Sequence, residues 1–364
     1  MAKRALPLVA ALGLLALMAA PVAAHDNGDR GHHPGENEYV VTTLVSNGGV
    51  PATRTDANLV NGWGLAALPT SPWWVANNGT DTSTLYDGTG APRPLVVSVV
   101  GAPTGLIANT TTDFSVSGGG ATGVARFIFA TESGTILGWS PTVPAAGITA
   151  TERGADRSAF GAIYKGLATG SVNGKNYLYA TDFHNGRVDV FDGTFTLQDW
   201  SHAFRDRHLP HGYAPFGIQN LNGTIFVTFA KQDAEKSDEL AGRGRGFVDA
   251  FAPDGTLLGR VASRGALNAP WGLAWAPADF GRFSGDLLVG NFGNGKINAY
   301  AMTKHGWRFD GTLRDEHHHA VVIDGLWALG FGNGTGSGPL TSLYFTAGPN
   351  DENDGAFGSI TAGD

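Results

Sequence analysis

Six times along this chain a strand-like run reaches a small residue at the same place. The runs are Trp74-Val75-Ala76-Asn77, Ile128-Phe129-Ala130-Thr131, Leu178-Tyr179-Ala180-Thr181, Phe226-Val227-Thr228-Phe229, Leu288-Val289-Gly290-Asn291 and Tyr344-Phe345-Thr346-Ala347. The position read as Ala76, Ala130, Ala180, Thr228, Gly290 and Thr346 never carries a bulky side chain. Strand character repeated every ~40–60 residues is the mark of stacked four-stranded units around an axis. The spacing therefore predicts an all-β chain, a six-bladed β-propeller over residues 39–364.

The flanking segments complete each unit. A short glycine-centred strand precedes each run: Asn61-Gly62-Trp63-Gly64-Leu65, Pro103-Thr104-Gly105-Leu106, Tyr164-Lys165-Gly166-Leu167, Pro215-Phe216-Gly217-Ile218 and Pro270-Trp271-Gly272-Leu273, with Trp327-Ala328-Leu329 as the sixth. Innermost strands crowd the axis, so a minimal side chain there answers a steric demand. After the runs come segments of the form Gly-x-(Ile/Val)-x-x-aromatic, such as Gly186 to Phe191, whose alternation suits a half-buried strand. Turn pairs Asp87-Gly88, Asp192-Gly193 and Asp254-Gly255 then lead toward a fourth, outer strand. The last unit has three strands before Asp364, and Tyr39 to Val45 has no unit of its own. This N-terminal strand is expected to complete the last blade and close the ring, hiding two sheet edges.

Glycine, 54 residues of 364, is about twice its usual share, and charged residues at 15% fall below the usual quarter, as tight turns and facing inner strands require. Residues 1–24 read as a signal peptide: Lys3 and Arg4, an apolar stretch from Leu6 to Ala20, then Val22-Ala23-Ala24. Cleavage would take the formal charge from −8 to −10, leave His25 as a copper-chelating amino terminus or simply the start of a polar tail, and place the protein in a secreted or periplasmic location. Residues 25–38, rich in His, Gly and Asp, are expected to be disordered. An acidic chain with no basic patch argues against nucleic acid, and no later run is long and apolar enough to span a membrane. The absence of cysteine excludes disulfides and thiol chemistry. A monomer is expected, with a small molecule or an extracellular protein or glycan as partner.

The strand order puts the start of each first strand and the end of each second strand on one face, where loops from all blades converge over the channel. Asn61, Trp63, Asn77, Phe216, Trp271, Asn291 and Trp327 are the candidate ligand-binding residues there. The rings either floor a pocket for a flat ligand or simply plug the channel. Asp182, His184, His211 and Glu132 are the candidate catalytic residues, although Asp182 and Asn185 serve equally well in a turn. His184 and His211 are candidate ligands for a divalent transition metal such as zinc, and Asp351 and Asp354 for calcium; a solvated loop is the alternative for each. No Gly-x-Ser-x-Gly, His-Glu-x-x-His or phosphate-loop motif is present.

Tyr177 to Asp192, with its Asp182, Asn185 and Arg187-Val188, closely resembles an NHL repeat, and Leu288 to Tyr300 is a weaker copy. With the Asn-Gly-Trp-Gly-Leu-Ala and Ala-Pro-Trp-Gly-Leu-Ala signatures, residues 39–364 resemble an uncharacterised family of exported bacterial six-bladed propellers. A more distant similarity is to the gluconolactonase and strictosidine-synthase-like propellers, which implies a divalent metal over the channel. Their lactonase members use a Glu where this chain has Asn61, and only Asp182 has a counterpart among their ligands. The resulting expectation is a propeller that binds a ligand or partner through its loop face, the alternative being a metal-dependent hydrolase or lyase at that face.

Overall fold

A computed structural model describes residues 37–144 and 149–363. The expectations for residues 1–36, namely the signal peptide, the polar tail and His25, lie outside the described residues. Asn37 and Glu38, assigned to the tail, are instead built onto the fold: the Asn37 amide donates to the Thr312 carbonyl (3.0 Å), and Gly363 N–H donates to the Glu38 carbonyl (2.8 Å).

Among the described residues six antiparallel sheets form the six blades, with inner strands Gly62–Ala66, Pro103–Ala108, Tyr164–Val172, Tyr213–Leu221, Pro270–Trp275 and Leu326–Phe331. The N-terminal strand Tyr39–Ser46 pairs antiparallel with the last strand, Ala356–Ala362, and closes the ring as expected. Tyr39 anchors it, its ring packed on Phe280 and its hydroxyl donating to the Phe280 carbonyl. A hairpin of Ser115–Gly118 and Ala121–Val124, which the repeat did not announce, lies between the first two strands of blade two. Blade three departs from expectation. The Asp192-Gly193 turn forms, but only Leu197 bridges back to Phe191, and among the described residues the sheet stops at its third strand, Arg187–Asp192.

Every inner strand is broken by a shift in pairing register at the same place, between Gly62/Leu65 in blade one and between Leu326/Leu329 in blade six, where Ala328 replaces the glycine, with the same break in the four blades between. This bulge explains two features of the repeat. A residue opposite the bulge must be small, and the register identifies it in blade three as Thr181 rather than Ala180, since Leu167 pairs with Ala180 as Leu65 pairs with Val75. Where that residue is threonine, its hydroxyl takes the N–H freed by the bulge: Gly166 N to Thr181 (2.7 Å), Gly217 N to Thr228 (2.8 Å) and Ala328 N to Thr346 (3.1 Å). The inner glycines in turn lie against the neighbouring inner strand. A Cβ on Gly217 would stand 2.2 Å from the Trp271 carbonyl oxygen, and one on Gly272 2.4 Å from that of Trp327. Contact between backbones seals the ring.

Candidate functional site

A bulge re-aims the residue that opens it. Here those residues are Trp63, Thr104, Lys165, Phe216, Trp271 and Trp327, and the aromatic ones meet on the axis. Trp63 and Trp327 stack with centroids 3.4 Å apart, Phe216 and Trp271 pack edge-on against both, and Phe292 covers the far side of Trp327. The four rings are 0–9% exposed, so they bury one another. Such ring contacts are each worth roughly 0.5–1.5 kcal/mol beyond area burial. A ligand entering between them would forfeit several kcal/mol, so the rings form a plug whose upper surface is the floor of the mouth.

Above the plug sits one cation. The Lys165 side chain is fully buried, its ammonium 5.1 Å from the centre of the Trp63 ring. It donates to Glu132 on blade two and to Asp238 on blade four (2.8 Å). Burial alone would lower its pKa, but Glu132 and Asp238 more than offset this and hold it above lysine's ordinary value. The Trp271 indole N–H caps the Lys165 carbonyl (3.2 Å).

A hydrogen-bonded chain continues from Glu132 around the mouth. The Asn78 amide donates to Glu132 (2.9 Å), and the Asn61 amide donates to Asn78 (3.3 Å) and to Glu352 (2.5 Å). Asn61 Oδ1 accepts the Trp327 indole N–H (3.0 Å). The backbone is bent to make this possible. Asn61 has φ 46°, and Asn350, Asp351 and Glu352 are three successive left-handed residues at φ 57°, 53° and 65°. Each such residue other than glycine costs on the order of 1 kcal/mol or more, so the turn that presents Glu352 is held by its surroundings. Asp354 does the holding: it accepts from Asn47 (2.9 Å) and Asn350 (2.5 Å), bonds that keep its pKa below the usual carboxylate value.

Two further carboxyls lie within electrostatic reach of Lys165. Burial pushes Glu239 up to about 8 against the pull of Lys165, with Glu352 and Asp238 adding to the rise. Burial likewise raises Glu352, opposed by the Asn61 hydrogen bond and Lys165. The mouth therefore collects Glu132, Asp238, Glu239 and Glu352 about a single ammonium.

Only some of the sequence candidates meet here. Glu132, Asn61, Trp63, Phe216, Trp271 and Trp327 belong to the mouth. Asn77, Asp182 and Asn291 share one structural place, the end of the second strand, where they fasten loops. Asn77 donates to Thr82 and Thr84 (3.0 Å each), and Asn291 donates to the Ala266 carbonyl (2.9 Å). Asp182 accepts from the Asn185 amide (2.7 Å) and from Ile163 N–H (3.3 Å), with Arg187 at 3.5 Å. Burial raises its pKa, countered by Asn185. The turn role of Asp182 thus accounts for its polar contacts. His184 lies at the rim of blade three, its Cδ2 3.6 Å from where a Cβ on Gly161 would stand, and His211 is exposed in the next connection. No hydrogen bond or ion pair joins either to Glu132 among the described residues.

The metal implied by the lactonase-like resemblance does not fit these residues. Among the described residues no three His, Cys, Asp or Glu are placed to share an ion, and the Asp354 carboxyl is taken up by the Asn350 and Asn47 amides. At the mouth the carboxylates converge on Lys165, whose ammonium already supplies the positive charge. Sequence reasoning passed over Lys165, Asp238 and Glu239, and reached Glu352 only as part of the acidic turn read for calcium. The signal was a lysine at the place where other blades have an aromatic ring or threonine.

No family model matches the sequence. Two curated relatives from Acanthamoeba polyphaga mimivirus, the uncharacterized proteins R648 and L690, are each 31% identical over 335 and 336 residues, covering 88% of this chain and 80% and 85% of theirs. Among solved structures, a structural genomics protein of unknown function from Bacteroides thetaiotaomicron is similar with a TM-score of 0.56 at 11% identity, covering 89% of this chain and 76% of that one. The soluble aldose sugar dehydrogenase of Escherichia coli gives 0.51 at 14% identity, covering 89% and 100%. Virginiamycin B lyase of Staphylococcus aureus gives 0.50 at 12% identity, covering 89% and 99%. At these identities the solved structures establish the propeller architecture alone.

Proposed function

The chain belongs to one family with the mimivirus proteins R648 and L690, and we propose that it is a binding propeller whose loop-face mouth takes a small ligand carrying an organic ammonium or guanidinium group. One observation carries this reading: four carboxyls surround a single buried ammonium over an aromatic floor. Lys165 pairs with Glu132 and Asp238, which leaves Glu352 without an ion pair among the described residues. Acids in excess over bases on a π-rich surface favour a further cation. The test is calorimetric titration of the full chain with spermidine and agmatine, using glucose as a neutral control. Saturable binding of the amines that weakens about tenfold in Glu352→Gln supports the reading. Glucose binding as tightly as the amines, or no response to Glu352→Gln, sinks it.

A second reading rests on Glu239. A carboxyl pushed up to about 8 by burial is suited to act as a general acid, so the same mouth suits a metal-free hydrolase or lyase. Turnover of a lactone or ester panel that survives chelation and is lost in Glu239→Gln supports it; turnover unchanged by that substitution removes it.

We also place the protein outside the cytoplasm, on the leader-like character of residues 1–24. Amino-terminal sequencing of the protein from its native cell is expected to begin at His25, and an intact Met1 start ends that proposal.

A further inference from the structure

Blade three offers a second site, independent of the mouth. Its third strand, Arg187–Asp192, has no full outer neighbour. Gln198 N–H reaches the Val190 carbonyl (2.8 Å) and Asp192 N–H reaches the Thr196 carbonyl (3.0 Å). Beyond that the chain turns away through Asp199 to Phe204. The outward N–H and C=O of Val188 and the N–H of Val190 then have no backbone partner among the described residues. An unfinished strand edge pairs readily with another chain.

This edge is not on open surface. It forms the floor of a cleft of about 390 Å³, walled by Gln198, Trp200, Arg205 and Arg157. The charges along the cleft are uneven. Arg187 is neutralised by Asp189 (2.7 Å). Neither Arg157 nor Arg205 makes an ion pair among the described residues, and Asp199 is the one unpaired acid in the lining. Arg157 lies flat on Phe160, 3.8 Å from the ring centre, with its Nε buried and lacking a hydrogen-bond partner. Phe160 itself is 61% exposed. A guanidinium stacked on a ring, fixed and unpaired, is prepared for an incoming carboxylate.

We propose that this cleft is a strand-addition site, where an extended peptide bearing acidic side chains seats antiparallel to Arg187–Val190 as the missing outer strand of the blade. Backbone pairing to Val188 supplies the register, and Arg157 and Arg205 select the acids. At ~3.4 Å per residue the open edge accommodates about four residues.

The test is fluorescence anisotropy of the full chain with a labelled hexapeptide of alternating valine and glutamate. Saturable binding is expected, weakened about tenfold or more in the Arg157→Gln/Arg205→Gln variant and for a peptide with lysine in place of glutamate. A peptide N-methylated at alternate residues is expected to lose a similar factor, because it cannot pair with the strand. Absence of binding, or equal binding of the lysine peptide or the double variant, overturns the proposal. Equal binding of the N-methylated peptide does so too, since charge alone then suffices. Both arginines stand outside the blade cores, and thermal melting of the variant confirms that it folds.

Discussion

The two ends of the channel are built from the same six strands and are opposites. The loop-face end is closed by rings and crossed by a charged network. The other end is an open funnel of about 440 Å³, lined by residues such as Leu65, Leu106, Leu273 and Leu329 around Gln219. The bulge makes the difference. There it turns one side chain per blade onto the axis, and two residues later the strand resumes ordinary pairing. Below that point Leu65, Leu106, Leu273 and Leu329 line the funnel without closing it. In this fold, then, chemistry at the axis follows from a backbone irregularity at one level, and the smooth part of the same strand supplies only walls.

Disrupting the bulge level should have the largest effect. In Gly272→Val the new Cβ would meet the Trp327 carbonyl oxygen at 2.4 Å, and we expect a loss above ~3 kcal/mol or no soluble protein. A wild-type urea midpoint would mean the ring is looser than described. Next comes Lys165→Met, which leaves Glu132 and Asp238 facing each other without their ammonium. Loss of a buried pair's partner costs up to ~5 kcal/mol, and the partial exposure of both acids brings the expectation to ~2–3 kcal/mol.

Glu239→Gln separates the two ends through pH. The folded carboxyl titrates near 8 and the unfolded one in the usual range near 4.5, so between those values the folded state holds the extra proton. Stability then falls as pH rises through this window and is level below it. The variant should flatten that fall and melt about 3 °C or more above the parent at pH 8.5, with little difference at pH 4.5. Parallel melting curves across the window would show that Glu239 is not held protonated. The smallest effect is expected at the funnel: Gln219→Leu should change stability by less than ~0.5 kcal/mol, since its amide has no hydrogen-bond partner among the described residues. A larger change would give the funnel a structural role it lacks here.

Blade count, closure by Tyr39–Ser46 and the crowding at the inner glycines were legible because each is a repeated demand of packing, written six times. The mouth was half legible. Trp63, Phe216, Trp271 and Trp327 share a place in the repeat, and their convergence follows from symmetry. Lys165 occupies that same place, but its partners come from unlike loops: Asp238 and Glu239 from a loop outside the repeat, and Glu352 from the turn whose Asp351 and Asp354 read as calcium ligands. Three left-handed residues in succession cannot be inferred from Asn-Asp-Glu, since only neighbours in space hold them so. Blade three failed in two ways, and each has a cause. Ala180 and Thr181 are both small, so sequence could not choose between them before the bulge was seen. The Asp192-Gly193 turn is genuine, but nothing in Asp199 to Phe204 says where a strand would stop.

The closing strand also sets a timetable for synthesis. Tyr39–Ser46 emerges from the ribosome long before its register partners, Ala356–Ala362. At ~5–20 residues per second this strand waits for tens of seconds with Val40 and Val41 unpaired. Blades one to five can assemble as neighbours during that interval, but blade six cannot. The final step joins two distant parts of the chain, the slowest kind of contact for a folding polypeptide. A chaperone acting on the nascent chain would find its substrate there, in a strand already made whose partner does not yet exist.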